Sequence, residues 1–401
     1  MPGTLGEVSK VLHVSGDYPD SIDSFKTPVI KTLIALTRTQ FDHDVLSLNR
    51  RSPAMASFAA DALIRLGKPR LHTTSEPFED GAAMRYDAPP KGLYHAAMLR
   101  QLGEQIASRI DQSERKPDLI VGHKLAIEGI AVRRAADLTG IPYAISIQGD
   151  TDTKIIDARP DLRGELARVF HGAAMVFPFA PWALKRVEGK LGVRQGPVCM
   201  LPCPTDLDAP TPPTVGGDGF VSVFHLKNHA RKNLSGMAAA MRLAAKQGAP
   251  LALTIIGGGS AAEVAQCEAL ANGAEGLTFA GPMGRDPLRA RMKTATAFVM
   301  PSLRESFGLV FIEALFAGLP IIYPAGTAVD GFFDGAPFAI RVDAHDPSAI
   351  AKAMLHVASE EGRIKAALAA WQESPEARRF TREAIGHAFA AGLKAAGTVG
   401  R

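Results

Sequence analysis

The sequence predicts two doubly wound, parallel α/β domains in one chain of 401 residues. Three observations carry that expectation. Short continuous apolar runs alternate with helical stretches, which is how strands covered on both faces read. The alternation occurs twice and is interrupted once by a stretch rich in Pro and Gly. The length also exceeds one ordinary core, so two domains of about 200 residues each are the natural division.

In the first half, Lys10–Gly16 (KVLHVSG) reads as a strand and Phe25–Thr39 as a helix. HDVLSLN follows as a second strand. Pro117–His123 and Pro142–Gly149 are further strands, separated by the helix EGIAVRRAADLTG, which ends on Gly140. AAMVFPF and GPVCMLP read as the closing strands of this half. Thr205–Gly219 (TDLDAPTPPTVGGDG) has no apolar period and reads as a linker. The pattern restarts with FVSVFHL, LALTIIGGGS, LTFAGPM, TAFVMPS, LPIIYPA and PFAIRVD. The expected division is a first domain over 1–205, a linker over 206–219 and a second domain over 220–378. The remaining 379–401 ends in a helix from about Phe380 to Ala396.

Composition narrows the function. With 46% hydrophobic and 21% charged residues and a net charge of +4, the chain reads as a soluble globular protein. That charge is far from a dedicated nucleic-acid binder, so no nucleic-acid partner is expected. Cys199, Cys203 and Cys267 give neither a disulfide framework nor zinc spacing, which suits a reducing compartment. No signal peptide or membrane-spanning run is read, so the expected location is cytoplasmic, at most peripheral to a membrane. The stretch NRRSPAMASFAADALIRLGKPRLH sets Arg50, Arg51, Arg65, Lys68 and Arg70 around a helix containing Ala, Leu and Ile. It reads either as a solvated basic face or as a contact for anionic lipid or a lipid-linked acceptor.

The chemistry concentrates in VMPSLRESFGLVFIEALFAGLPIIYP, Val299–Pro324. A buried strand ends near Pro301, a helix runs from Gly308 to Gly318, and LPIIYP is the next strand. The turn between them lies at the carboxyl edge of a sheet, where ligands bind in such folds. The N–H groups of Phe307, Gly308 and Leu309 lie at a helix N-terminus, which favours a phosphate. Gly308 permits close approach of a ligand to the backbone. Glu305 precedes the helix and Glu313 lies about one and a half turns inside it. Carboxylates accept hydrogen bonds from hydroxyls, so a polyhydroxylated, phosphate-bearing ligand suits the pair, and a nucleotide sugar is such a ligand. The plainer reading is an acidic residue for the helix dipole plus one exposed glutamate. Glu313 speaks against it, because Phe311, Ile312, Ala314 and Leu315 around it are apolar.

At this point the sequence resembles the retaining GT-B glycosyltransferases of group 1, also called family 4. Their motif places two glutamates with seven residues between them in a Pro-Ser…Glu-x-Phe-Gly…Glu-Ala-x-Ala-x-Gly-x-Pro setting. Pro301, Ser302, Glu305, Phe307, Gly308, Glu313, Ala314, Ala317, Gly318 and Pro320 match it. The resemblance implies a GT-B architecture of two Rossmann-like domains facing across a cleft. It implies that Glu313 bonds the ribose hydroxyls of a UDP- or GDP-sugar donor, that Glu305 binds the transferred sugar, and that the backbone at Ser306, Phe307 and Gly308 holds sugar and phosphate. LTIIGGGS, with Gly257, looks like a strand flanking the nucleotide pocket. ARKNLSGMAAAM looks like the segment whose lysine, here Lys232, neutralises the leaving diphosphate, with His225, Lys227 or Arg231 as its basic companion.

Two departures stand out. The family often has a histidine where this chain has Gln148, which hydrogen-bonds but cannot become a cation. The usual Gly-Gly loop after the first strand is replaced by SGDYPDSIDSFKTP, with Gly16 alone. Its Asp17, Asp20 and Asp23 either bind acceptor hydroxyls or serve as loop and cap residues. His123, at a strand end, is either a cleft contact or an internally bonded histidine. Asp150–Asp152 (DTD) looks like a metal motif, but the resemblance gives metal no role, and no metal or cofactor is expected. The expected partners are a nucleotide sugar and a glycan or lipid-linked acceptor, in polysaccharide biosynthesis. The alternatives are a non-catalytic partner with the same fold, or a sugar-nucleotide epimerase or glycan phosphorylase on a related one.

Overall fold

The structure is a computed structural model that describes residues 8–52, 70–89 and 94–398. The chain forms two compact units. The first comprises Met1–Phe179, Ala183–Leu201 and Ile385–Arg401, and the second Ala180–Trp182 and Pro202–Ala384. Arg65, Lys68 and the helix expected around them lie outside the described residues.

The first unit is built on seven strands: β1 Lys10–Ser15, β2 Asp42–Arg51, β3 Thr73–Phe78, β4 Gly81–Asp87, β5 Leu119–Gly122, β6 Tyr143–Ile147 and β7 Met175–Pro178. Their order is β3-β4-β2-β1-β5-β6-β7. All pairs are parallel except β3 with β4. This hairpin was not read from the sequence, because TTSEPF is a mostly exposed edge strand with no apolar run. The first helix, α1 Val29–Ala35, is shorter than the expected Phe25–Thr39. Pro28 caps its start, and the Thr37 hydroxyl bonds the Leu33 and Ile34 carbonyls where it ends. GPVCMLP is not a sheet strand; it makes one isolated bridge, Val176 with Val198. Two further helices of this unit matter below: α2 His95–Asp111 and α3 Gly129–Thr139.

The second unit holds six parallel strands: β8 Phe220–Val223, β9 Leu253–Ile256, β10 Leu277–Phe279, β11 Ala297–Val299, β12 Ile321–Pro324 and β13 Ala339–Val342. Their order is β10-β9-β8-β11-β12-β13. These are the six strands expected there. The segment read as a linker belongs to this unit and is tied to it. Thr211 N–H donates to the Phe316 carbonyl at 2.7 Å, and the buried Lys365 ammonium reaches the Thr214 carbonyl at 2.6 Å. The last helix, Arg382–Gly397, belongs to the first unit from Ile385 onward. There Phe389 meets Phe177 edge-on at 5.4 Å between centroids. Among the described residues, no helix is long and apolar enough to cross a membrane.

In both sheets the chain reverses its direction of growth beside the first strand, between β1 and β5 and between β8 and β11. Crevices at the carboxyl ends of such strands are the binding positions of doubly wound sheets.

Candidate functional site

In the second unit, the loops after β8 and β11 meet at the reversal point. The loop after β8 carries Lys227, Arg231 and Lys232, and that after β11 carries Glu305 to Gly308. The Lys232 ammonium is hydrogen-bonded to Glu305 Oε2. Both residues are buried, and Arg231 Nη1 lies 4.0 Å from Glu305 Oε1. Leu303 N–H donates to the Arg231 carbonyl at 2.9 Å, which locks the loops together. Ser306 N–H donates to Glu305 Oε1 at 3.3 Å.

Asn233 makes this arrangement rigid. It sits in the left-handed region at φ 61° and caps the helix Leu234–Lys246, accepting from Gly236 N–H at 3.2 Å. Its amide also donates to the Pro301 and Ala344 carbonyls at 3.1 and 2.7 Å. Lys232 is therefore held by its own neighbour against the β11 loop. Thr327 does the same for Glu305. Its hydroxyl lies 3.0 Å from Glu305 N–H as acceptor and also bonds the Glu305 carbonyl. The sequence reading missed both; an Asn just before an apolar helical run was the available signal for the first.

Gly308 precedes the helix Leu309–Phe316 with φ 74°. A Cβ there would stand 2.7 Å from the Phe311 ring, so the position demands glycine. Phe311 N–H donates to the Gly308 carbonyl at 3.0 Å, which leaves the N–H groups of Leu309 and Val310 at the start of the helix, just after Glu305 in the β11 loop. Phe307 is buried against Phe332 at 6.1 Å, while Ser306 and Leu309 are half-buried. Glu313 is half-buried, and its Oε1 accepts from the buried Thr205 hydroxyl at 2.7 Å. At Gly257 a Cβ would lie 1.8 Å from the Phe224 carbonyl oxygen, so glycine is what lets the β8 and β9 ends approach. Lys227 and His225 are exposed, and His225 Nδ1 accepts from Lys227 N–H at 3.2 Å.

In the first unit the corresponding loops form a buried charge cluster. Gly16 N–H donates to Glu128 Oε1 at 2.7 Å, and Lys124 donates to Asp17 at 2.5 Å. Glu128 is fully buried, and its Oε2 has no hydrogen-bond partner among the described residues. Burial pushes its carboxyl up to about 8, opposed by Lys124 and reinforced by Asp17. Burial alone would lower the Lys124 ammonium, but Asp17 and Glu128 hold it above its usual value.

The other candidates of this unit turn inward. Asp152 of DTD is wholly buried and accepts from Ala126 N–H at 2.8 Å and Gln148 N–H at 3.0 Å. Burial raises its carboxyl to about 6. It thus anchors backbone at the start of the helix Asp150–Ala158. Gln148 Nε2 donates to the His123 carbonyl at 2.7 Å. His123 is wholly buried rather than a surface contact: its Nε2 meets His13 Nδ1 at 2.9 Å, and His13 Nε2 meets His43 Nδ1 at 2.9 Å. Asp20 is a loop residue, accepting from the N–H groups of Ile22 and Asp23 and from Lys26, each at 2.8 Å.

Residues 219–360, about a third of the chain, match the family Glycosyl transferases group 1. The D-inositol 3-phosphate glycosyltransferase of Streptomyces scabiei (strain 87.22) is 34% identical over 140 residues, covering 31% of this chain and 30% of the relative. The enzyme of the same name from Corynebacterium jeikeium (strain K411) is 34% identical over 142 residues, covering 32% and 34%. The match thus spans about a third of the length of these relatives. Sucrose-phosphate synthase from Thermosynechococcus elongatus superposes with a TM-score of 0.67 at 17% identity, covering 96% of this chain and 98% of that one. The lipopolysaccharide outer core galactosyltransferase WaaB superposes with a TM-score of 0.65 at 13% identity, covering 96% and 99%. The fold is therefore GT-B, and residues 219–360 are similar to the Glycosyl transferases group 1.

Proposed function

We propose that this chain is a retaining, metal-independent glycosyltransferase of family 4. It moves a hexosyl group from a UDP- or GDP-sugar to a glycan or lipid-linked acceptor. Its setting is cytoplasmic, in the assembly of a cell-surface polysaccharide or glycolipid. The carrying observation is the buried Lys232–Glu305 pair between the β8 and β11 loops, with Gly308 and Glu313 on the same loop and helix.

The chemical demand is to break the anomeric C–O bond while negative charge grows on the departing diphosphate. Preorganised positive charge aimed at that position is the largest contribution such a site makes. Lys232 and Arg231 supply it as cations, and the N-terminus of the helix at Leu309 supplies it as a partial charge. Glu305 fixes the sugar hydroxyls and holds the Lys232 ammonium in place. Glu313 accepts from the ribose diol. The acceptor hydroxyl attacks the face that the diphosphate leaves, and its proton passes to the leaving phosphate oxygen, so configuration is retained without a protein nucleophile.

A calorimetric screen with UDP, GDP, ADP and their sugar conjugates, without and with magnesium, tests this. The expected result is binding by one nucleotide family, independent of magnesium and lost in Glu313→Ala. Glu305→Ala should keep binding of the bare nucleoside diphosphate and lose transfer. Intact transfer in both variants overturns the assignment.

A further inference from the structure

The first unit contains a cavity that the donor site leaves unassigned. Its volume is about 750 Å³, within the range of small-molecule sites. Its walls are apolar, with Leu48, Met98, Leu99, Ile127 and Ile155 among them. Cations stand around them: Arg50 from the end of β2, Lys124 beyond β5, and Lys154 and Arg159 from the helix Asp150–Ala158 and its cap. Among the described residues no carboxylate lines it, while Lys124 pairs with Asp17 and Arg159 with Asp161 just outside. A second, polar cavity of about 490 Å³ shares Gly16, Leu48 and Arg50 with the first. It adds Lys26, Arg51 and Arg85, of which Lys26 pairs with Asp20 and Arg51 with Asp87, and Asp23 is the one carboxylate lining it among the described residues.

We propose that the larger cavity binds the end of a lipid-linked phosphate. The hydrocarbon lies against the walls, and the phosphate sits at Arg50, which both cavities share, with Lys154 as a second cation of the larger one. The inference rests on the proposed transferase reading in one respect, that this molecule is the acceptor. Two features favour a lipid-linked phosphate over a free sugar phosphate. A polyol against Met98, Leu99 and Ile155 would leave hydroxyls without partners, which costs more than the contact returns. Phe25, 97% exposed, projects from the loop that also brings Ile22, Asp23 and Lys26 to the second cavity. An exposed aromatic beside basic residues is the composition of a lipid-surface contact.

The test is calorimetric titration of the full chain with butyl, hexyl and octyl phosphate below their micelle concentrations. Octyl glucoside and glucose 6-phosphate serve as comparisons. The expected result is affinity rising about fourfold per methylene, with octyl glucoside and glucose 6-phosphate both much weaker. Lys154→Ala and Arg50→Ala, both at exposed positions, should each weaken octyl phosphate at least fivefold and leave octyl glucoside unchanged. Ile155→Glu should abolish octyl phosphate binding while the fold, read by circular dichroism, persists. Affinity independent of chain length, or glucose 6-phosphate binding as tightly as octyl phosphate, overturns the proposal. Nucleotide titration of the same samples separates it from the transferase reading. Alkyl phosphate binding without nucleotide binding keeps this site and removes that activity, and the reverse outcome does the opposite.

Discussion

The Thr205 hydroxyl donates to Glu313 Oε1 at 2.7 Å, although the two residues lie 108 positions apart. Thr205 thereby orients the carboxylate and leaves its other oxygen for a ligand diol. A hydrogen bond to a charged group contributes about 1.5–3 kcal/mol. Thr205→Val should therefore weaken nucleotide binding on the order of tenfold, and Thr205→Ser should restore it. Calorimetry decides, and unchanged affinity in Thr205→Val would mean that the orientation of Glu313 does not matter to the nucleotide.

Lys232 and Glu305 depend on each other for stability as well as chemistry. Removing one member of a buried pair strands the other charge, at a cost of about 3–5 kcal/mol. Lys232→Met and Glu305→Gln should each lower the urea midpoint strongly. The double variant should recover most of that loss and still be inactive. Recovery of transfer along with stability would show that the pair is structural only.

Glu128 predicts a decline in stability with rising pH. Its folded value of about 8 lies above the ordinary carboxyl value of 4.5. Between these values the folded state holds a proton that the unfolded state has released, so stability falls as pH rises and levels off above about 8. The slope is at most about 1.4 kcal/mol per pH unit. Lys124, Asp17, Asp152 and the Gly16 N–H act on this carboxyl. Glu128→Gln keeps an acceptor for Gly16 and should flatten the decline between pH 6.5 and 8 in urea titrations. An identical slope in that variant would refute the assignment.

The buried histidine chain acts with the opposite sign. Burial lowers His123 to about 3 and His43 to about 4, and it lowers His13 as well. In the unfolded chain these rings protonate near 6.5. The stability they confer is present above that pH and is lost as pH falls toward about 4. Thr37 closes the chain, with its hydroxyl 3.0 Å from His43 Nε2. Relative to the native chain, His43→Gln should show a shallower acid limb between pH 6.5 and 4, while its stability at pH 8 reports only the lost packing. Parallel acid limbs would show that His43 is not among the groups that titrate on unfolding.

Local signals made much of the second unit legible. Each of its strands lay in a short, mostly apolar run, and the helix after Gly308 began and ended on glycines whose φ values are 74° and 83°. The Glu305–Glu313 spacing was readable because both lie on one strand–turn–helix element. The first unit was less legible. The β3–β4 hairpin carries few apolar residues at its edge, and the helix Asp150–Ala158 begins on the tripeptide DTD, whose Asp152 is buried and accepts from backbone N–H groups. The basic companion of Lys232 was also undecided. Arg231 and Lys227 are both exposed, and Arg231 Nη1 lies 4.0 Å from Glu305 Oε1.

By itself the sequence determined what short-range chemistry controls: strand and helix periods, the glycine turn before Leu309 and the spacing of the two glutamates. Tertiary structure alone decided the partners. It joined Lys232 to Glu305 across 73 residues, gave Glu313 its threonine, buried His123 in a chain of imidazoles, and set Glu128 beneath Gly16 with one oxygen unpaired among the described residues. Periodicity and capping act within a few turns of chain, whereas these contacts depend on which strands become neighbours, and that is settled only when both sheets and their cores are complete.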